Sequence, residues 1–331
     1  MRVLALNGSP RKKGNTDYLL TALLAEFDGR GAVTQKFDLA RMHVMPCKEY
    51  MVCEKKGVCP IHDDVETLLY PALRNADIVL LGSPVFFYNI TAQAKALVDR
   101  TQLFWARVYR LGLTDPKKHF RRGLAVSVGA TRGRKLFSGV ELTARYFHDA
   151  ISAIHEKGLY YQGIENRGDM AAHPGHAADI QATVGRLMAP LAHRPGVLFL
   201  DRGHAGAARI AAAFLEYTAG DQIEVLSAGI APAETSHPMV ETIMAEEKID
   251  MLFRMTRSLD GALAEIRPAA AVLMGDISPP PELDDISIIR WNDLPSVSED
   301  PDSWRGLRDD LKRRVADLLP RIKGSDPISG E

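Results

Sequence analysis

The chain has 331 residues, 46% of them hydrophobic and 25% charged, with a formal net charge of −1. That length exceeds one ordinary domain, so two are expected. The near-neutral balance, with no long block of like charge, argues against a nucleic-acid surface or an acidic tail. No apolar run approaches the roughly 18 residues that span a bilayer, so no membrane partner is expected either.

The first element is a short apolar run, Arg2 to Asn7, of the kind a strand buried on both faces requires. It stops at Gly8-Ser9-Pro10-Arg11-Lys12-Lys13-Gly14-Asn15-Thr16, where Asn15 or Thr16 can cap a helix carrying Leu19, Leu20, Leu23 and Leu24. A strand, a tight polar loop and a helix N-terminus make an anion cradle, because free N–H groups and the helix dipole converge there. The loop lacks the three glycines of a dinucleotide fingerprint and the lysine-serine pair of a triphosphate loop. A phosphate is therefore expected, but neither ATP nor a pyrophosphate.

With the N-terminus strand-like, no secretory leader is expected. A second strand is expected at 33–37, followed by a segment holding all three cysteines, Cys47, Cys53 and Cys59. An odd number suits a reducing compartment, and the chain is expected in the cytoplasm. A helix should run from Val65 to Leu73, and a buried strand from Asp77 to Gly82 should lead into Ser83-Pro84-Val85-Phe86-Phe87-Tyr88-Asn89. A helix from Thr91 to about Leu103 follows, then a strand over 124–128 ending at Gly129-Ala130-Thr131-Arg132-Gly133, and a helix from Glu141 to about Ala153. Strands alternating with helices predict a doubly wound parallel sheet. Ligands sit beyond the carboxyl ends of such strands, so three glycine-, serine- and proline-rich loops point to one site. A phosphate beside aromatic residues and close-approaching glycines suggests flavin mononucleotide, FMN.

These motifs, with Lys95 to Arg100 and the pair Asp63-Asp64, resemble the NADPH-dependent FMN reductase and iron–sulfur flavoprotein families over roughly residues 1–190. The resemblance implies a flavodoxin-like fold, FMN phosphate held by Ser9, Arg11, Asn15 and Thr16, and the isoalloxazine ring against Pro84, Val85, Phe86 and Phe87 and against Gly129, Ala130 and Thr131. Phe86 stands where those families often carry tyrosine. NAD(P)H is the implied electron donor, and a homodimer is implied. The iron–sulfur members have four cysteines, the first three two residues apart, whereas here Tyr50 takes the second place in Cys47-x-x-Tyr50-x-x-Cys53-x5-Cys59. A phenol is a poor substitute for thiolate, which argues against a four-iron cluster held by this chain alone. Loop packing, redox-active thiols near the flavin, and a three-cysteine metal site completed by His62 stay open.

Residues 191–196 read as a linker, after which the pattern restarts. Strands are expected at Val197 to Leu200, Ile223 to Ala228 and 269–274, and helices at 208–218 and 303–319, with a tail over 323–331. Residues 197–322 resemble the low-molecular-weight tyrosine phosphatases and related arsenate reductases, through the strand–loop–helix at 197–218, Ser227-Ala228-Gly229, Pro238 to Asp250, and Trp291-x-x-Leu294-Pro295. Those enzymes need a cysteine thiolate and, six positions later, an arginine. Here Asp201 and Ala207 stand at those positions, and no cysteine follows Cys59. The expectation is a remodelled, inactive domain, with Arg209 a solvated charge and Asp201 and His204 a satisfied loop pair. The acid of such enzymes has only Asp293 and Asp300 as stand-ins. An FMN-dependent NAD(P)H oxidoreductase with a small-molecule or protein acceptor is the favoured function, no catalytic acid or base being compelled. The alternative is a flavin-containing sensor or electron-transfer module whose second domain is an interaction surface.

Overall fold

The computed structural model describes residues 1–323, so of the expected tail only Lys323 falls within it and 324–331 lie outside the described residues. The described residues divide into two compact units, residues 1–112 with 120–192, and residues 113–119 with those from 193 onward. Seven residues inside the first half of the sequence thus pack with the second unit.

The first unit runs β1 (Arg2–Asn7), α1 (Asn15–Asp28), β2 (Val33–Asp38), α2 (Val52–Lys56), a wide helical turn leading into α3 (Tyr70–Asn75), β3 (Ile78–Pro84), α4 (Ala92–Arg100), α5 (Gln102–Tyr109), β4 (Arg122–Gly129), α6 (Ser138–Ala150), β5 (Ile154–Gln162), α7 (Asp169–Ala172) and α8 (His176–Met188). All five strands are parallel in the order β2-β1-β3-β4-β5, which is the flavodoxin-like order. Every residue of β1 is buried, as its unbroken apolar run requires. One core packs Val3, Ala5, Leu80 and Val126 against Leu19, Leu23 and Phe27 of α1 and Val184 and Leu187 of α8.

Three sequence expectations change here. The single helix expected from Thr91 is two, because Thr101 ends α4 and starts α5. The helix expected from Glu141 begins three residues earlier, at Ser138. β5 escaped the sequence reading because an edge strand covered on one side needs no apolar run, and His155, Glu156 and Lys157 break it.

The second unit runs β6 (Gly196–Asp201), α9 (Ala207–Ala219), β7 (Glu224–Gly229), α10 (Pro238–Glu246), α11 (Leu259–Leu263), β8 (Ala270–Met274), β9 (Ser287–Trp291) and α12 (Pro301–Lys323). Its four strands are parallel, in the order β7-β6-β8-β9, and apolar clusters lie on both faces. Two doubly wound α/β sheets, one flavodoxin-like and one smaller and of the phosphatase type, are the architecture expected. Within this unit Lys117 and Asp115 are buried, Lys117 lying 3.4 Å from Glu216 and Asp115 lying 3.6 Å from Arg254. Among the described residues no helix is long and apolar enough to cross a membrane.

Candidate functional site

Strand order reverses between β1 and β3, which opens a crevice at their carboxyl ends. The Gly8 N–H donates to the Gly82 carbonyl at 2.8 Å across that crevice. A Cβ on Gly8 would lie 2.7 Å from the Ala94 Cβ, and one on Gly82 would lie 2.4 Å from Leu20, so neither tolerates a side chain. Thr91 fastens the crevice, donating its hydroxyl proton to the Gly8 carbonyl at 2.6 Å and accepting from the Ala94 N–H. Lys13 adopts a left-handed φ of 51°, which turns the chain onto the start of α1.

That helix starts with Gly14 at its cap position and no side-chain cap. Neither Asn15 nor Thr16 caps it, contrary to expectation. The Asn15 amide instead donates to the Asn166 carbonyl at 2.8 Å, and its oxygen accepts from the N–H groups of Gly168 and Met170. Thr16 is 1% exposed and its Oγ1 has no hydrogen-bond partner. A buried hydroxyl without a partner carries a desolvation cost, which an anion at the uncapped helix end would relieve. Ser9 is buried and its Oγ accepts from the Arg11 N–H, while Arg11 is exposed and reaches the Glu165 carbonyl. A phosphate therefore fits this loop, with Ser9, Thr16 and the α1 N–H groups as donors and Arg11 at its rim.

Pro84, Val85, Phe86 and Phe87 follow directly on the same crevice, and Phe86 and Asn89 exchange two backbone hydrogen bonds of 2.8 and 2.9 Å. Phe87 and Tyr88 between them both have positive φ, 47° and 62°. Non-glycine residues take that conformation at a cost, and such strain gathers at functional sites. Phe86, Phe87 and Tyr88 are all exposed. The third loop starts at Gly129, whose carbonyl accepts from the Ile164 N–H at 3.0 Å, and Ala130 and Thr131 after it are exposed. The structure thus gathers all three predicted loops at one end of the sheet. Sequence reading missed a fourth segment, 163–170, which touches both the first and third loops. Its signals were two glycines in the left-handed region, Gly163 with φ 72° and Gly168 with φ 95°.

Behind the third loop, Glu141 accepts from Tyr160 and lies 2.7 Å from His155 Nε2, and His155 Nδ1 meets His148 Nδ1 at 2.7 Å. His148 is fully buried. Burial, helped by His155, pushes its pKa down to about 3, so it is neutral.

The cysteine segment is clasped at both ends by a buried ion pair between Arg100 and Asp63, with contacts of 2.7 and 3.2 Å. Arg100 also donates to the carbonyls of Met45 and Ile61, and Asp63 accepts from the Met45 and Val65 N–H groups. Despite burial, Arg100 and those N–H donors hold the Asp63 carboxyl below its usual range. The acidic pair and Arg100 are therefore framework, since Asp64 likewise accepts from the His43 N–H, while Asp99 pairs with Lys95 at the surface. Cys47 is exposed, while burial and its two cysteine neighbours push the Cys53 thiol up. His62 is paired to Glu66 at 2.6 Å. Among the described residues no group of three His, Cys, Asp or Glu side chains is placed to hold a metal. The donor set does not fit a four-thiolate cluster.

In the second unit the equivalent strand–loop–helix is filled from within. Asp201 is 9% exposed, its Oδ2 accepts from the Ala208 N–H at 3.0 Å, and its Oδ1 accepts from the His204 N–H. Burial raises its pKa against those hydrogen bonds. His204, at φ 51°, sits 2.8 Å from the Ser227 hydroxyl and accepts from the Arg257 N–H at 2.8 Å; burial holds its pKa near 3. Arg209 departs from expectation. It is 4% exposed, donates to the Arg254 carbonyl, and is pushed down to about 10 by burial. It is a buried structural donor, where the sequence suggested a solvated charge. Asp293 pairs with Arg314 at 3.0 Å, and Asp300 accepts from the Asp302 N–H at the start of α12.

A family model for NADPH-dependent FMN reductase matches residues 1–151. An iron–sulfur flavoprotein of Methanocaldococcus jannaschii is 37% identical over 149 residues, which are 45% of this chain and 70% of that protein. An iron–sulfur flavoprotein of Methanosarcina thermophila is 32% identical over 149 residues, 45% of this chain and 72% of that one. Among solved structures, a thioredoxin-dependent arsenate reductase of Corynebacterium glutamicum is 23% identical with a TM-score of 0.34, covering 46% of this chain and 78% of its own. By its first half, the chain belongs to the NADPH-dependent FMN reductase family and is a flavoprotein-type oxidoreductase.

Proposed function

We propose that residues 1–190 bind FMN and pass electrons from NAD(P)H through it to an acceptor. The observation that carries this reading is the buried, unpartnered Thr16 hydroxyl at the uncapped start of α1, beside the strand-order reversal. Ser9, Thr16 and the α1 N–H groups hold the phosphate, Arg11 closes its rim, and Asn15 fixes the loop from behind. Pro84, Val85, Phe86 and Phe87 line one side of the ring, and Gly129, Ala130 and Thr131 approach its edge by their backbone. The flavin supplies the two-electron chemistry, and the protein supplies grip, orientation and access. Purified protein titrated with FMN should bind one equivalent, and NADPH should bleach it without oxygen. Protein that stays colourless with excess FMN would sink the reading.

Three thiols without a fourth favour a chain that carries no iron–sulfur cluster; stoichiometric iron and acid-labile sulfide in protein purified without oxygen would overturn this. Residues 197–322 form an inactive phosphatase-like domain beyond a 191–196 linker, because Asp201 already occupies the N–H groups an oxyanion would need. Hydrolysis of p-nitrophenyl phosphate that disappears in Asp201→Ala would reverse that view. The acceptor is a small molecule or a protein rather than nucleic acid or a membrane, and the working form is a cytoplasmic homodimer. A flavin-containing sensor or electron-transfer module is the second reading, favoured by the inward-filled loop. Bound FMN that NAD(P)H fails to reduce would select it.

A further inference from the structure

Residues 163–170 form a strap between two core anchors. Ile164 and Met170 are buried in the first unit's core, and 165–168 are exposed between them. Gly163 and Gly168 turn the strap in the left-handed region, and Asp169 braces it, its Oδ2 accepting from the Glu165 and Asn166 N–H groups at 2.9 and 2.7 Å. The family match ends at residue 151, so the strap lies beyond it.

The strap grips the phosphate loop from several sides. Arg11 donates to the Glu165 carbonyl at 3.2 Å, and Arg167 donates to the Lys12 carbonyl at 2.6 Å. Asn15 spends both ends of its amide there. Its Nδ2 donates to the Asn166 carbonyl at 2.8 Å, and its Oδ1 accepts from the Gly168 and Met170 N–H groups at 3.2 and 3.3 Å. Asparagine is among the strongest helix caps, because its side-chain oxygen reaches the first free N–H groups of a helix. Yet α1 starts from Gly14 with no side-chain cap, although Asn15 stands at its first turn. The N–H groups left open are the ones a phosphate needs. An asparagine that capped this helix would compete with the ligand for them.

We propose that the strap holds Asn15 off the end of α1 and so keeps those N–H groups open for a phosphate; this rests on the proposed FMN site. Gly168 and Asp169 are then positioning residues for the cofactor, acting through Asn15. Once the strap loosens, Asn15 turns back onto the helix end and occupies the cradle with its own oxygen.

Fluorescence titration of the full-length protein with FMN, and with riboflavin, which has the ring but no phosphate, tests this. Asp169→Ala should weaken FMN about fivefold, the ~1 kcal/mol that an asparagine cap is worth, and leave riboflavin unmoved. Gly168→Ala should act the same way, since a Cβ there meets no atom within 4 Å and only strains the positive φ. The readout that a merely structural strap would not move is rescue. In Asp169→Ala/Asn15→Ala no asparagine is left to cap the helix, and FMN affinity should return to within about twofold of the parent. A double variant that binds FMN no better than Asp169→Ala would overturn the proposal. So would equal losses for FMN and riboflavin, or no loss in either single variant. If the parent binds neither flavin, the flavin reading fails by its own readout, and inorganic phosphate then judges the strap. It should raise the parent's unfolding temperature, raise that of Asp169→Ala less, and regain its full effect in the double variant. A parent that does not respond to phosphate would overturn the strap's role as well.

Discussion

The two units each carry a strand–loop–helix cradle, and the pair differ in what fills it. In the first, Lys13 takes a left-handed φ of 51°, Gly14 leads an uncapped helix, and the Thr16 hydroxyl is buried without a partner. In the second, His204 takes the same φ, Gly206 leads a helix without a side chain of its own as cap, and the Asp201 carboxyl sits across the loop N–H groups. One cradle is left short of an anion; the other contains its own. The lesson is that loop shape alone does not announce a ligand site. What announces it is a polar group left unsatisfied where burial makes that costly.

The largest expected difference is on removing the internal acid. Asp201→Ala leaves the Ala208 and His204 N–H groups buried and unsatisfied, and should cost about 2–3 kcal/mol of stability. Denaturant unfolding followed by the fluorescence of Trp291 and Trp304 reads it. Inorganic phosphate at 10 mM should restore part of the loss and leave the parent protein unmoved; a loss below about 0.5 kcal/mol would erase the contrast between the loops.

Acid should act on both units through their buried neutral histidines. His148 and His204 have folded-state pKa values near 3, below the ordinary value near 6.5. The unfolded chain therefore binds protons first, so the stability they confer is complete above pH 6.5 and drains away as pH falls toward 3. At pH 5 each should have cost about 2 kcal/mol. Thermal unfolding at pH 7 and pH 5 should show the fall. His204→Asn should flatten the second unit's share, and an unchanged pH slope in that variant would reject its role.

Thr16→Ala should do the reverse of Asp201→Ala. With no partner lost, stability should change by less than ~0.5 kcal/mol, while FMN binding weakens roughly tenfold through the loss of a charge-assisted donor. Fluorescence titration measures this, and unaltered FMN affinity would mean the hydroxyl does not face the phosphate. The smallest effect is expected at Phe87, fully exposed with φ 47°. Phe87→Gly should stabilise the flavin-free protein by up to ~1 kcal/mol by relieving the turn, and FMN affinity should drop a few-fold. Any loss of stability would show that the turn is not strained.

By itself the amino-acid sequence determined the α/β class, the buried central strands and the three loops, while the edge strands β5 and β9 were not read from it. Each rests on local signals: unbroken apolar runs, glycine and proline at strand ends, and polar residues where a helix begins. It also showed that the second cradle has no cysteine and carries Ala207 at the arginine position, because the identity of a residue at a position needs no coordinates. What those signals could not carry was the destination of polar side chains. Asn15 looked like a phosphate ligand and is spent on 166–170; Arg209 looked solvated and is buried; Asp63 and Arg100 looked like a motif and are a clasp. Residues 113–119 read as part of the first half and pack with the second. The basic runs Arg11 to Lys13 and Arg132 to Lys135 are each too short to mark a charged surface. Parallel strands place both at the same end of one sheet, more than a hundred residues apart in sequence, and that convergence belongs to the tertiary structure alone.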